Sequence, residues 1–146
     1  MNKNPRVMLI TGAAGGMGRA TVELFNEKGW IVIGVDRNEF GQSFPADGLF
    51  IQADISDPTQ LEEIYSSVRN FTISLDAVIN NAALQVVKPL LDTTVEEWDA
   101  VMASNLRSVF LGAKLAYPLL KNKGGGAIVN VSSVHAIVTS SGVGSY

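Results

Sequence analysis

The sequence predicts an α/β fold, a doubly wound parallel sheet of five strands with helices on both faces. Three observations carry it. Short apolar runs alternate strictly with stretches of helical spacing. The runs lack polar alternation, as strands buried on both faces do. A cluster of glycines stands between the first run and the first helix. Length and composition are compatible. The 146 residues are 47% hydrophobic and 17% charged, which suits one globular domain over residues 1–146 and argues against disorder.

The first strand is predicted over residues 6–11. A helix follows over 17–28, in which Met17, Ala20, Thr21, Leu24 and Phe25 share a face and Gly29 closes the pattern. Residues 30–35 form a second apolar run. Residues 38–48 hold Gly41, Pro45 and Gly48 and read as a loop or a broken helix. The third strand spans 49–53. Asp57-Pro58 opens a helix that runs to about residue 70, with proline at the first helical position. The fourth strand spans 75–80. Thr94-Val95-Glu96-Glu97 is a capping box that opens another helix. A long helix follows over 105–121, with Leu106, Val109, Phe110, Ala113 and Tyr117 on one face and Pro118 placed to end or kink it. Gly124-Gly125-Gly126 breaks the chain before a fifth strand at 127–132.

Composition also narrows the function. The net charge is -3 and the basic residues are scattered, so neither a nucleic-acid surface nor a polybasic membrane patch is expected. No cysteine is present, which excludes disulfides and thiolate metal sites. Residues 1–5 lead straight into an apolar run too brief for a signal-peptide core or a membrane span, so a cytoplasmic protein without a bound metal is expected.

The loop after the first strand reads Thr11-Gly12-Ala13-Ala14-Gly15-Gly16-Met17-Gly18. Gly12 permits a tight turn, Gly16 allows the backbone to approach a pyrophosphate, and Gly18 lets helix pack on strand. The free N–H groups at the helix start then face the phosphates. Asp36 ends the second strand, 18 residues after Gly18, where a carboxylate can accept hydrogen bonds from an adenosine ribose. Each feature alone could be a plain turn or a solvated strand end. Together they point to dinucleotide binding.

The spacing T-G-x-x-x-G-x-G resembles that of the short-chain dehydrogenase/reductase family, and further segments match in order. Asp54-Ile55 resembles the family's adenine-contacting pair. Asn80-Asn81-Ala82-Ala83 resembles its N-N-A-G motif, with Ala83 in the place of glycine. Asn105 stands where the family carries the asparagine of its catalytic tetrad. Residues 128–133 resemble the strand ending in the catalytic serine, Ser133, and Tyr146 follows at the family's serine-to-tyrosine spacing of thirteen.

The resemblance implies a Rossmann-like domain binding NAD in preference to NADP through Gly12, Ala14, Gly16, Met17, Gly18, Asp36, Arg37, Asp54, Ile55, Asn81, Ala82 and Ala83. It implies hydride transfer between nicotinamide and a small-molecule alcohol or carbonyl substrate, with Tyr146 exchanging the proton, Ser133 orienting the oxygen and Asn105 supporting the site. The family's lysine stands four residues after the tyrosine, beyond residue 146, and its last two strands are likewise absent. The chain is therefore expected to be an inactive fragment of an enzyme. The competing reading is a module that binds NAD or a partner without chemistry. A homo-oligomer is expected, because the fifth strand and the long helix would expose apolar surface. His135, the only histidine, reads as a solvated loop residue. Trp30 and Trp98 read as packing residues.

Overall fold

The computed structural model describes residues 5–146. The leader reading concerns the start of the chain, of which residues 1–4 lie outside the described residues. Five strands, β1 (Val7–Thr11), β2 (Ile31–Asp36), β3 (Leu49–Gln52), β4 (Ala77–Asn80) and β5 (Ala127–Asn130), form one parallel sheet in the order β3-β2-β1-β4-β5. The chain builds outward from β1 to β3, then returns to β4 on the other side of β1. The reversal leaves a crevice at the carboxyl ends of β1 and β4, where such sheets bind ligands.

The continuous apolar runs follow from two covered faces. Val7 and Leu9 of β1 join Ile33, Val35 and Val78 in a core closed by the helices α2 (Pro58–Phe71) and α4 (Ser108–Lys121). Met8 and Ile10 point the other way, into a core shared with Val22 and Phe25 of α1 (Gly16–Glu27). Residues buried on each face stabilise the sheet by about 1.5–3 kcal/mol per large aliphatic side chain.

α1 turns a different face inward from the one its apolar pattern suggests. Gly18 and Val22 are buried, whereas Met17 is 65% and Leu24 50% exposed. The reason is proximity. At Gly18 a Cβ would collide with the Gly12 carbonyl, so the helix seats the residue that has none. Small size outweighs hydrophobicity at that contact.

Asp57 caps α2 through its side chain, with Pro58 at the first helical position, as the sequence indicates. Thr94 and Glu97 form both arms of the capping box that opens α3 (Val95–Met102). No break separates α3 from the long helix. A π-helical turn, Ala103–Arg107, carries the chain directly into α4. Asn105 therefore lies inside a wide turn and starts no helix. Pro118 neither ends α4 nor stands in its middle; the helix continues to Lys121, close enough to its end that a single missing donor is tolerated. Glycines at positive φ, Gly124 and Gly125, then turn the chain into β5. β5 stops at Asn130, two residues short of the expected end, and all four of its residues are exposed on the sheet's edge. Residues 38–48 form neither helix nor strand. Phe40 and Phe44 fold back there against Phe50.

Candidate functional site

A cleft of about 450 Å³ opens at the carboxyl ends of the strands. Gly12, Gly16, Met17, Gly18, Asp36, Arg37, Asp54, Ile55, Asn81, Ala82 and Ala83 all line it. Ala14, also expected there, does not line it; its N–H donates to Asp36 and its carbonyl accepts from Arg19 Nε.

The floor is a latch between β1 and β4. The buried Thr11 hydroxyl accepts from the N–H groups of Asn81 and Ala82, each at 3.1 Å. In return the Asn81 side-chain amide donates to the carbonyls of Thr11 at 3.1 Å and Gly12 at 3.2 Å. Asn81 thus reaches the cleft as a holder of the glycine loop. Gly12 adopts φ +69°, and a Cβ there would lie 2.8 Å from the Ala82 Cα. At Gly16 no atom would lie within 4 Å of a Cβ. Gly16 lines the cleft, and a side chain there would meet open space.

α1 begins at Gly16 after Gly15, with no side-chain cap. The N–H groups of its first turn have no intrahelical acceptor, and they stand at the cleft with the positive end of the helix dipole. Glycine loop, uncapped helix start and open space at Gly16 together fit a dinucleotide's pyrophosphate.

Asp36 stands at the other end. Its Oδ2 accepts from the Ala14 N–H and its Oδ1 from the Asn38 N–H, both at 2.9 Å. The carboxylate is pinned by these bonds, and each oxygen keeps a further lone pair for a ligand hydroxyl. Asp54 is similarly engaged, with Oδ1 accepting from the Ser56 N–H at 2.9 Å. Below it, the N–H of Thr59 holds the Asp57 carboxyl under its ordinary pKa, with help from Gln60.

The three expected catalytic residues do not line the cleft. Asn105 forms a two-armed pair with the Leu84 backbone, accepting from its N–H and donating to its carbonyl, both at 2.8 Å. The π turn widens the helix where this side chain must reach the loop after β4. Ser133 Oγ accepts from the His135 N–H at 3.2 Å and opens a 3₁₀ turn. The Tyr146 ring stands edge-on to His135, with centroids 6.2 Å apart. Ser133 and Tyr146 are thus on one segment, with His135 between them. His135 is not the solvated residue expected: it is half-buried, and its Nδ1 is enclosed without a partner among the described residues. Trp30 packs edge-on against Phe25, but Trp98 is 43% exposed and departs from its expected packing role.

Thr11 entered the sequence reading only as the first letter of the glycine motif, with no role of its own, and Leu84 was not singled out. Thr11 carries a usable signal, a hydroxyl closing an otherwise apolar strand. Leu84 carries none, because its role is made by backbone groups.

The family model described as short chain dehydrogenase matches residues 6–146. The chain belongs to the short-chain dehydrogenase family. It is 32% identical to an NAD-dependent glycerol dehydrogenase of Listeria innocua, covering 94% of this chain and 56% of that protein. It is also 32% identical to an NADP-dependent (R)-specific alcohol dehydrogenase of Lentilactobacillus kefiri, covering 97% and 59%. A short chain dehydrogenase from Leptospira borgpetersenii, solved with bound NAD+, superposes with a TM-score of 0.86 at 30% identity, covering 96% of this chain and 58% of that one. This chain therefore spans somewhat over half the length of the short-chain dehydrogenases it matches. No helix among the described residues is long and apolar enough to cross a membrane.

Proposed function

We propose that this chain is the cofactor-binding part of an oxidoreductase that interconverts a small alcohol and its carbonyl compound, using NAD(H) in preference to NADP(H). The observation that carries the reading is the cleft: an uncapped helix start beside Gly16 at one end and a pinned carboxylate, Asp36, at the other. Such a cofactor, when bound, exchanges a hydride with the substrate carbon. The chain's own residues would do the rest. The first turn of α1 would hold the pyrophosphate, and Asp36 would accept from the ribose hydroxyls. Tyr146 would give a proton to the substrate oxygen in reduction and take it back in oxidation. Ser133 would donate a hydrogen bond to the same oxygen. Asn105 would act at one remove, by fixing the loop at Leu84.

The cofactor preference rests on charge. The two hydrogen bonds hold the Asp36 carboxylate where it would face a 2′-phosphate. Like charges about 4 Å apart repel by roughly 1–4 kcal/mol in wet surroundings. Arg37, on the cleft wall, works against this, since an arginine can pair with that phosphate. The loop itself supplies no second cation at Gly15. Titration of the chain with NADH and NADPH by calorimetry tests the reading. Tighter NADH binding is expected, and tighter NADPH binding overturns it. The reaction is tested on the whole protein by following NADH formation over a panel of alcohols and polyols. Binding of NADH without turnover of any of them would favour a non-catalytic binding module.

A further inference from the structure

α2 and α4 lie side by side on one face of the sheet. Between them and the ends of β1 and β4 is a cavity of about 10 Å³. That is the lower end of the space that admits one water molecule. Its polar lining is unlike the surrounding core. Tyr65 of α2 is only 2% exposed, and it lines this cavity. A buried phenol ordinarily finds a partner. Burial pushes the Tyr65 pKa up, so the group keeps its proton and remains a donor.

Two acceptors stand near. Asn80 is 8% exposed, and its amide nitrogen is spent on Asn130 Oδ1 at 2.8 Å, which leaves its own Oδ1 available. Ser108 is buried and donates its hydroxyl hydrogen to the Ser104 carbonyl, which leaves its lone pairs. Gly112 lines the same cavity. A Cβ there would lie 3.6 Å from the Tyr65 hydroxyl and 4.0 Å from Asn80 Oδ1, so both oxygens flank the space above Gly112.

We propose that Tyr65, Asn80 and Ser108 hold one water molecule over Gly112, and that this water fixes Asn80 at the β4–β5 junction. The water accepts from the Tyr65 hydroxyl and donates to Asn80 Oδ1 and Ser108 Oγ. Three bonds are the usual complement of a buried water. Asn80 in turn holds β5 twice, through its side chain to Asn130 and through its carbonyl, which accepts from the Val131 N–H at 2.9 Å. These are the last ties before the segment that carries Ser133. Tyr65 is thus a positioning residue, acting from the rear of α2 on the strand that leads to the site.

A crystal structure of the chain at a resolution that shows ordered water tests this directly. Density is expected about 3 Å from both Tyr65 Oη and Asn80 Oδ1, and none at that point in Gly112→Ala, whose methyl takes the space. In Tyr65→Phe, amide exchange at Val131 should accelerate by about tenfold, the loss of one buried hydrogen bond, beyond any change at Leu9 in the centre of the sheet. A Tyr65 hydroxyl bonded directly to Asn80 or Ser108, with no density between them, would overturn the proposal. So would Val131 exchange that moves only in step with Leu9, since that is a general loss of stability. Should Tyr65→Phe fail to fold, the parent and Gly112→Ala structures decide the matter.

Discussion

Gly12 and Gly16 stand four residues apart in one loop and answer to different constraints. Gly12 has positive φ and backbone of Ala82 against it, so Gly12→Ala should cost at least about 1–3 kcal/mol of stability in chemical denaturation. Gly16 has open space, so Gly16→Val should change stability by less than about 0.5 kcal/mol while abolishing cofactor binding, because the isopropyl group enters the cleft. Unchanged NADH affinity in Gly16→Val would mean that the loop is only a turn. The glycine spacing made this loop legible, as it did Asp36. What the sequence hid was the second duty of each side chain. Asp36 also anchors Ala14, and Asn81 also ties Thr11 and Gly12, because hydrogen bonds across 22 and 70 residues leave no local pattern. Asn105 is the sharpest case. Its place was marked by resemblance, its partner only by the fold. Asn105→Ala should strip both bonds from the Leu84 backbone and cost about 1–3 kcal/mol, with faster amide exchange at Leu84 as the local sign.

Helix starts were the most readable elements, since caps are local chemistry. Thr94→Ala removes one arm of the capping box and should destabilise α3 by about 1 kcal/mol. The α2 cap adds a pH dependence whose sign follows from Asp57. Its carboxyl is held below the ordinary value by the Thr59 N–H, so its contribution is complete above the unfolded pKa, about 3.9, and is lost as pH falls through the folded value. Thermal midpoints of the parent and Asp57→Asn should therefore converge as pH drops from 5 to 3. A constant gap would show that the charge is immaterial there. Faces were harder to read than ends. α1 buries Gly18 and Val22, and α4 buries the small Ser108, Gly112 and Ala116 along most of its length and Leu119 and Leu120 only at its end, while Leu106 of the π turn and Phe110 and Tyr117 of α4 lie outward. A hydrophobicity pattern weighs large side chains, whereas close helix-to-sheet approach selects small ones. The π turn left no sequence signal, because it answers to a partner 21 residues away.

At the scale of the molecule, the alternation of runs was enough to predict a parallel sheet wound on both faces. The resemblance added its family. Strand order could not be read from periodicity, since β1 pairs with strands both near and far in the chain. The open features are β5, exposed on the edge, and the outward stripe of α4. An unpaired edge beside an apolar stripe favours pairing with another copy. This chain should therefore self-associate, and a monodisperse monomer at high concentration in light scattering would refute that.

The order β3-β2-β1-β4-β5 also has a kinetic consequence. β1 precedes the other four strands in the chain and lies at the centre of their sheet. One of its neighbours, β2, follows within 24 residues, as the pairing of Val7 with Ile31 shows; the other, β4, must be fetched from about 69 residues away, as with Met8 and Ala77. Closing the longer loop costs entropy before any contact repays it. Until β4 is synthesised, the nascent chain carries the most apolar strand of the protein with one side open. The Thr11–Asn81 latch that shapes the cleft can form only when that search is over, so the ligand site and the completed sheet should arise in the same step of folding.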